Sequence, residues 1–128
     1  MGEKMNQKEF AQKYNAIVER ALFMSNKARR EGLLSLEEEI DGEKYLQREL
    51  FEYGIRLVVD GTDASFIDRI LSNIIDLEHD DETKTLKTIQ KEAVLSIQAG
   101  DNPRILTLLL NSHVNVDIEE AMKQYMEW

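Results

Sequence analysis

The chain has 128 residues, a formal net charge of −9 and no cysteine. At this length one domain with an ordinary apolar core is the natural reading, since a chain of about 130 residues buries roughly two-thirds of its unfolded surface. The lack of cysteine rules out a disulfide framework, a thiol nucleophile and a zinc–thiolate site and fits a reducing compartment such as the cytoplasm, while the acidic balance argues against a dedicated nucleic-acid binder.

The charge is unevenly spread. Residues 1–32 carry seven Lys/Arg against four Asp/Glu, and residues 33–128 carry nine against twenty-one. Opposite charge on the two parts makes self-association an option alongside attraction within one molecule. The first ten residues lack the apolar core of a secretory signal, and no stretch approaches the ~20 apolar residues that span a bilayer. The most apolar run, 105–110, is one short helix long.

Helix signals dominate, with a single proline and six glycines that fall mostly at element boundaries, so an all-α bundle of about six helices in one domain, 1–128, is expected. From Gln7 to Arg30 the residues Phe10, Tyr14, Ile17, Ala21, Met24 and Ala28 step by four and three, with Val18 and Leu22 beside them. That spacing predicts one long amphipathic helix. Gly32 suits a left-handed stop, and Ser35 with Glu38 has the capping-box spacing for a short helix over 36–41. A third helix is predicted over Glu43–Val59, with Tyr45, Leu46, Leu50, Tyr53, Leu57 and Val58 on its buried side.

Asp60-Gly61-Thr62-Asp63 reads as a turn whose acidic residues can cap a helix over Ala64–Leu77. Its apolar face would comprise Phe66, Ile67, Ile70, Leu71, Ile74 and Ile75. A polar connector, His79–Thr83, precedes a helix over Lys84–Ala99 that Gly100 can end. Asp101 or Asn102 can cap the next helix, with Pro103 in its first turn, where the missing amide costs nothing. Asp117 with Glu120 repeats the capping-box spacing and predicts a last helix ending near Trp128.

Little in the chain supports chemistry. The two histidines, His79 and His113, are far apart, and no carboxylate stands at helix spacing to complete an acid/base or metal site. The acidic group Asp76, Glu78, Asp80, Asp81 and Glu82 could attract a divalent cation but lacks the alternating ligands and turn glycine of a calcium loop. Asp60 and Asp63 are explained as turn and cap residues rather than as a hydrolytic pair. Neither GxxxxGK[ST] nor GxGxxG occurs. A non-enzymatic protein without a cofactor is the expectation.

Two segments carry a family resemblance. Ala28-Arg29-Arg30-Glu31-Gly32-Leu33-Leu34-Ser35-Leu36-Glu37, followed by Arg56-Leu57-Val58-Val59-Asp60-Gly61-Thr62-Asp63, resembles the large cytoplasmic loop of MotA-type flagellar stator subunits, of the MotA/TolQ/ExbB proton-channel family. Lys91-Glu92-Ala93-Val94-Leu95-Ser96-Ile97-Gln98-Ala99-Gly100-Asp101-Asn102-Pro103-Arg104 is similar to the segment after that family's last membrane span. Residues 21–78 are thus loop-like and residues 84–110 like the C-terminal cytoplasmic segment.

The family's membrane-spanning helices have no counterpart here, so the resemblance implies a non-conducting adaptor at the cytoplasmic face of a flagellar basal body. Its implied partners are a rotor switch protein of the FliG class or stator components. The family's charged contact positions fall on Arg29 and Glu37, with Arg30 and Glu38 as adjacent alternatives. Two other readings stay open from the residues: a helical interaction module outside motility, and a metal-dependent protein using residues 76–82.

Overall fold

The computed structural model describes residues 5–40 and 49–114, and among them every regular element is helical. These are α1 (Gln7–Glu31), a 3-10 helix (Leu33–Glu39), α2 (Leu50–Val59), α3 (Ala64–Asp76), α4 (Asp81–Ala99) and α5 (Pro103–Asn111). The all-α expectation and the long first helix therefore hold. No described helix is long and apolar enough to cross a membrane. The predicted helix over Asp117–Trp128, and Tyr45 and Leu46, lie outside the described residues.

α1 begins where the side chain of Asn6 accepts a hydrogen bond from the Glu9 amide at 2.8 Å. Its apolar stripe buries Tyr14, Val18, Ala21, Leu22 and Met24. Arg29 and Arg30 occupy the last turn, where the carbonyl end of the helix dipole favours positive charge. Gly32 ends the helix at φ 92°, ψ 159°. The positive φ is as expected, but the extended ψ is not the left-handed helical stop, because the chain goes straight into a 3-10 helix.

That 3-10 helix corrects the predicted capping box. Leu33–Glu39 is helical with Gly32 before it, and no side chain caps it. Instead the Ser35 hydroxyl donates to the Gly32 carbonyl at 2.6 Å, and Glu38 turns to Lys27. A side-chain bond to a neighbouring carbonyl competes with a cap, and here it wins.

α2 starts at Leu50, with Glu49 extended (φ −63°, ψ 120°), so no continuous helix runs from Glu43 to Val59. The cap that permits this start comes from another element: Gln90 of α4 accepts the Phe51 amide proton at 2.9 Å. At the far end of the hairpin formed by α2 and α3, Gln98 of α4 donates to the Thr62 carbonyl at 2.8 Å. Asp63 does occupy the N-cap position of α3, but its side chain accepts no capping bond.

α4 begins three residues before the predicted start. Asp80 accepts from the Thr83 amide at 2.9 Å and from its hydroxyl at 2.7 Å, and Asp81 and Glu82 supply negative charge in the first turn. At the other end Gly100 is left-handed (φ 76°, ψ 23°), and the Asp101 amide donates back to the Ser96 carbonyl. Of the two residues proposed as the α5 cap, Asn102 serves, accepting from Ile105 at 2.9 Å with Pro103 following.

α4 lies at the centre, packed against α1, α2, α3 and α5. α1 also meets the 3-10 helix and α5, and α2 meets the 3-10 helix and α3. The core joins Met24 of α1, Leu36 of the 3-10 helix, Ile55 of α2, Ile67 and Leu71 of α3, Ile89 and Val94 of α4, and Leu106 and Leu110 of α5. Each such side chain removed from water contributes about 1.5–3 kcal/mol. Asn111 is buried with its Oδ1 accepting a hydrogen bond from the Tyr14 hydroxyl, while its Nδ2 has no partner among the described residues.

Candidate functional site

Of the residues singled out by the sequence, Arg29 and Arg30 lie in the last turn of α1 and Glu37 and Glu38 on the 3-10 helix that follows, of which Glu38 joins an ionic cluster centred on Lys27. Lys27 is 7 % exposed, and its ammonium donates to Glu38 Oε2 at 2.9 Å and Glu39 Oε2 at 2.8 Å. One helical turn or more earlier, Arg20 donates to the Glu39 carbonyl at 2.9 Å and to Glu52 Oε1 at 3.2 Å. Together these contacts tie the 3-10 helix to α1 and α2. The hydrogen bond from Lys27 holds the Glu39 carboxyl below its ordinary pKa, and the bonds to Glu39 and Glu38 push the Lys27 ammonium up.

Arg29, Arg30, Glu37 and Glu38 are all exposed. Their partners differ. Among the described residues Arg29 and Arg30 have no ion pair, whereas Glu38 is engaged by Lys27 and Glu37 reaches Arg56 at 3.5 Å. Arg56 also faces Asp60 at 3.8 Å, one turn along α2. Of the four residues, Glu38 thus has a structural task, and Glu37 is the carboxylate that points outward with only a long, solvent-exposed pair.

Lys27 was not singled out from the sequence. The available signal was a lysine within the apolar stripe, between Met24 and Ala28, followed by three consecutive glutamates at 37–39. A long cation at such a position needs carboxylates close by if its ammonium is to be covered.

The other candidate chemistry disperses. His79 is exposed, and His113 Nε2 lies 3.1 Å from Glu92 Oε1 on α4. Glu78 binds Lys87 at 2.8 Å and accepts from the Asp80 amide, while Asp80 is occupied in capping α4. Among the described residues no group of three or more His, Asp or Glu is placed to hold a metal ion. Asp60 and Asp63 stand at the two ends of a turn, as C-cap of α2 and N-cap of α3. Set against family models, curated proteins and solved structures, the chain gives no match.

The lysine-bound carboxylates make an acid-dependence testable. Glu39 with Lys27, Asp68 with Lys91 and Ser72, and Glu78 with Lys87 all have folded-state pKa values lowered below the ordinary 4.5, 3.8 and 4.5. In that range the unfolded chain binds more protons, so stability rises with pH. The contribution is present above the ordinary carboxylate pKa and is lost as pH falls through the lowered folded values. A melting temperature followed from about pH 6 to about pH 3 should fall at the acid end, and less steeply in Glu39→Gln. A flat profile would mean that the three pairs contribute nothing to stability.

Proposed function

We propose that this protein is a non-catalytic, non-conducting adaptor of a bacterial flagellar motor. In this reading it docks on a rotor switch protein of the FliG class, or on stator components, through the edge formed by Arg29, Arg30 and Glu37. The observation that supports it best is the pair of exposed guanidiniums without an ion pair among the described residues, followed in the chain by an outward carboxylate on a 3-10 helix that Lys27 and Arg20 anchor. By the resemblance set out above, Arg29 and Glu37 are the contact positions. Exposed charges of this kind steer encounter and orient a partner more than they add affinity, which suits a contact remade as a rotor turns.

The test is a titration of purified motor proteins against the wild-type chain and against Arg29→Glu/Glu37→Lys, both checked for an unchanged fold. A switch or stator protein should bind the wild type, bind more weakly as salt rises, and lose about tenfold or more in affinity to the charge-reversed chain. Equal binding by both chains would remove this edge from the contact. If the wild type binds none of them, the motor role is wrong.

A further inference from the structure

We infer that Leu34 is the apolar anchor of this interface, seated on a ridge that the 3-10 helix shares between Leu34 and Glu37. The inference rests on the docking edge proposed above and adds to it a residue that charge alone does not suggest. In a 3-10 helix there are three residues per turn, so side chains at i and i+3 stand one above the other. Leu33–Glu39 therefore sorts into three rows. Leu33, Leu36 and Glu39 form the inward row: Leu36 is fully buried, Leu33 packs on the core, and Glu39 meets Lys27. Ser35 and Glu38 form the second row, bonded to Gly32 and to Lys27.

Leu34 and Glu37 make the third row, and it points to solvent. Leu34 is 73 % exposed. Below it the backbone is held at one end by the Ser35 hydroxyl on the Gly32 carbonyl and at the other by Arg20 on the Glu39 carbonyl. With the backbone already held, only the side chain's own rotamers remain to be ordered when a partner covers it, and a few residues packed away from water at the centre of a contact carry most of its binding energy.

The charge in its own row and the two arginines in the turn of α1 just before it define the partner. Glu37 calls for an amine or guanidinium, and Arg29 and Arg30 call for a carboxylate. The matching surface is a folded protein with a leucine-sized apolar pocket between a basic and an acidic group. Leu77, the C-cap of α3, is 76 % exposed between Asp76 and Glu78 with no arginine next to it in the chain, and provides the control.

A purified rotor switch protein of the FliG class is the probe, titrated against wild type, Leu34→Ala, Leu34→Met, Leu77→Ala and the charge-reversed chain. Leu34→Ala should weaken binding about tenfold or more, Leu34→Met should stay within about threefold, and Leu77→Ala should match wild type. Melting temperatures should agree across the leucine variants, because neither leucine is in the core. Binding by Leu34→Ala at wild-type strength, while Arg29→Glu/Glu37→Lys fails to bind, overturns the anchor and leaves the charged edge standing. Absence of binding by the wild-type chain overturns the docking partner, and the anchor with it.

Discussion

Replacing Gly54 with alanine is expected to destabilise the protein by roughly 2 kcal/mol, even though alanine is the better helix former by about 1 kcal/mol. Gly54 sits in α2 where that helix crosses α4, and a Cβ there would lie 2.6 Å from one methyl of Val94, 3.0 Å from the other and 3.1 Å from Leu71 Cδ1. Neither neighbour can give way cheaply. Val94 and Leu71 are both fully buried, and a valine in a helix has essentially one rotamer. Overpacking of this kind costs about 1–3 kcal/mol and sometimes more, and a contact as short as 2.6 Å belongs at the upper end.

In a chain of this size the loss corresponds to a fall in Tm of roughly 6–10 °C. Urea denaturation of Gly54→Ala, Val94→Ala and the double variant would isolate the contact. Removing the valine methyls makes room for the new Cβ, so the double variant should be more stable than the sum of the single losses implies, by about 1–2 kcal/mol. A Gly54→Ala chain that melts above wild type would show that the helices are free to move apart.

The second large effect separates two neighbours on one helix. Ile67→Ala should cost about 3 kcal/mol, within the 2–5 kcal/mol range for truncating a buried isoleucine, whereas Phe66→Ala should cost no more than about 1 kcal/mol. Ile67 is fully buried between α3 and the core, while Phe66 is 53 % exposed. Part of its ring faces Arg69, whose guanidinium carbon is 6.0 Å from the ring centre. Exposed cation–π contacts contribute about 0.5–1 kcal/mol at most, so the larger side chain is worth less here than the smaller one. The order of the two losses, read from chemical unfolding, decides the matter.

Those two residues also mark where the sequence stops being legible. Its periodicity found α3 to within a residue, but it put Phe66 and Ile67 on the same broad face. Only packing distinguishes the buried row Ile67, Leu71 and Ile75 from the flank occupied by Phe66. The same holds at helix ends. Gly100 and Asn102 act locally and are readable as end signals, Asn6 caps α1 just before its predicted start, and Asp80, the cap of α4, stands four residues before the predicted start within what reads as a polar connector. The start of α2 was not readable, because its amide is bonded by Gln90, thirty-nine positions away in the chain.

The charged edge was legible in part for a related reason. Arg29, Arg30, Glu37 and Glu38 could be named from their motif, but the division of labour among the glutamates depends on a three-residue period. An α-helical reading with Ser35 as its cap does not produce that period. Once the 3-10 geometry is known, Glu39 turns inward, Glu38 reaches Lys27 and Glu37 is left outside.

The central place of α4 has a consequence for how the chain is made. The helix against which α1, α2 and α3 all rest begins only at Asp81, so a ribosome releases their apolar faces before the surface that covers them exists. Met24, Ile55 and Leu71 cannot find their final neighbours in a nascent chain that stops short of Ile89 and Val94. Completion of the fold therefore waits for the synthesis and release of α4. Until then the growing polypeptide presents the kind of unfinished hydrophobic surface that chaperones hold and proteases cut.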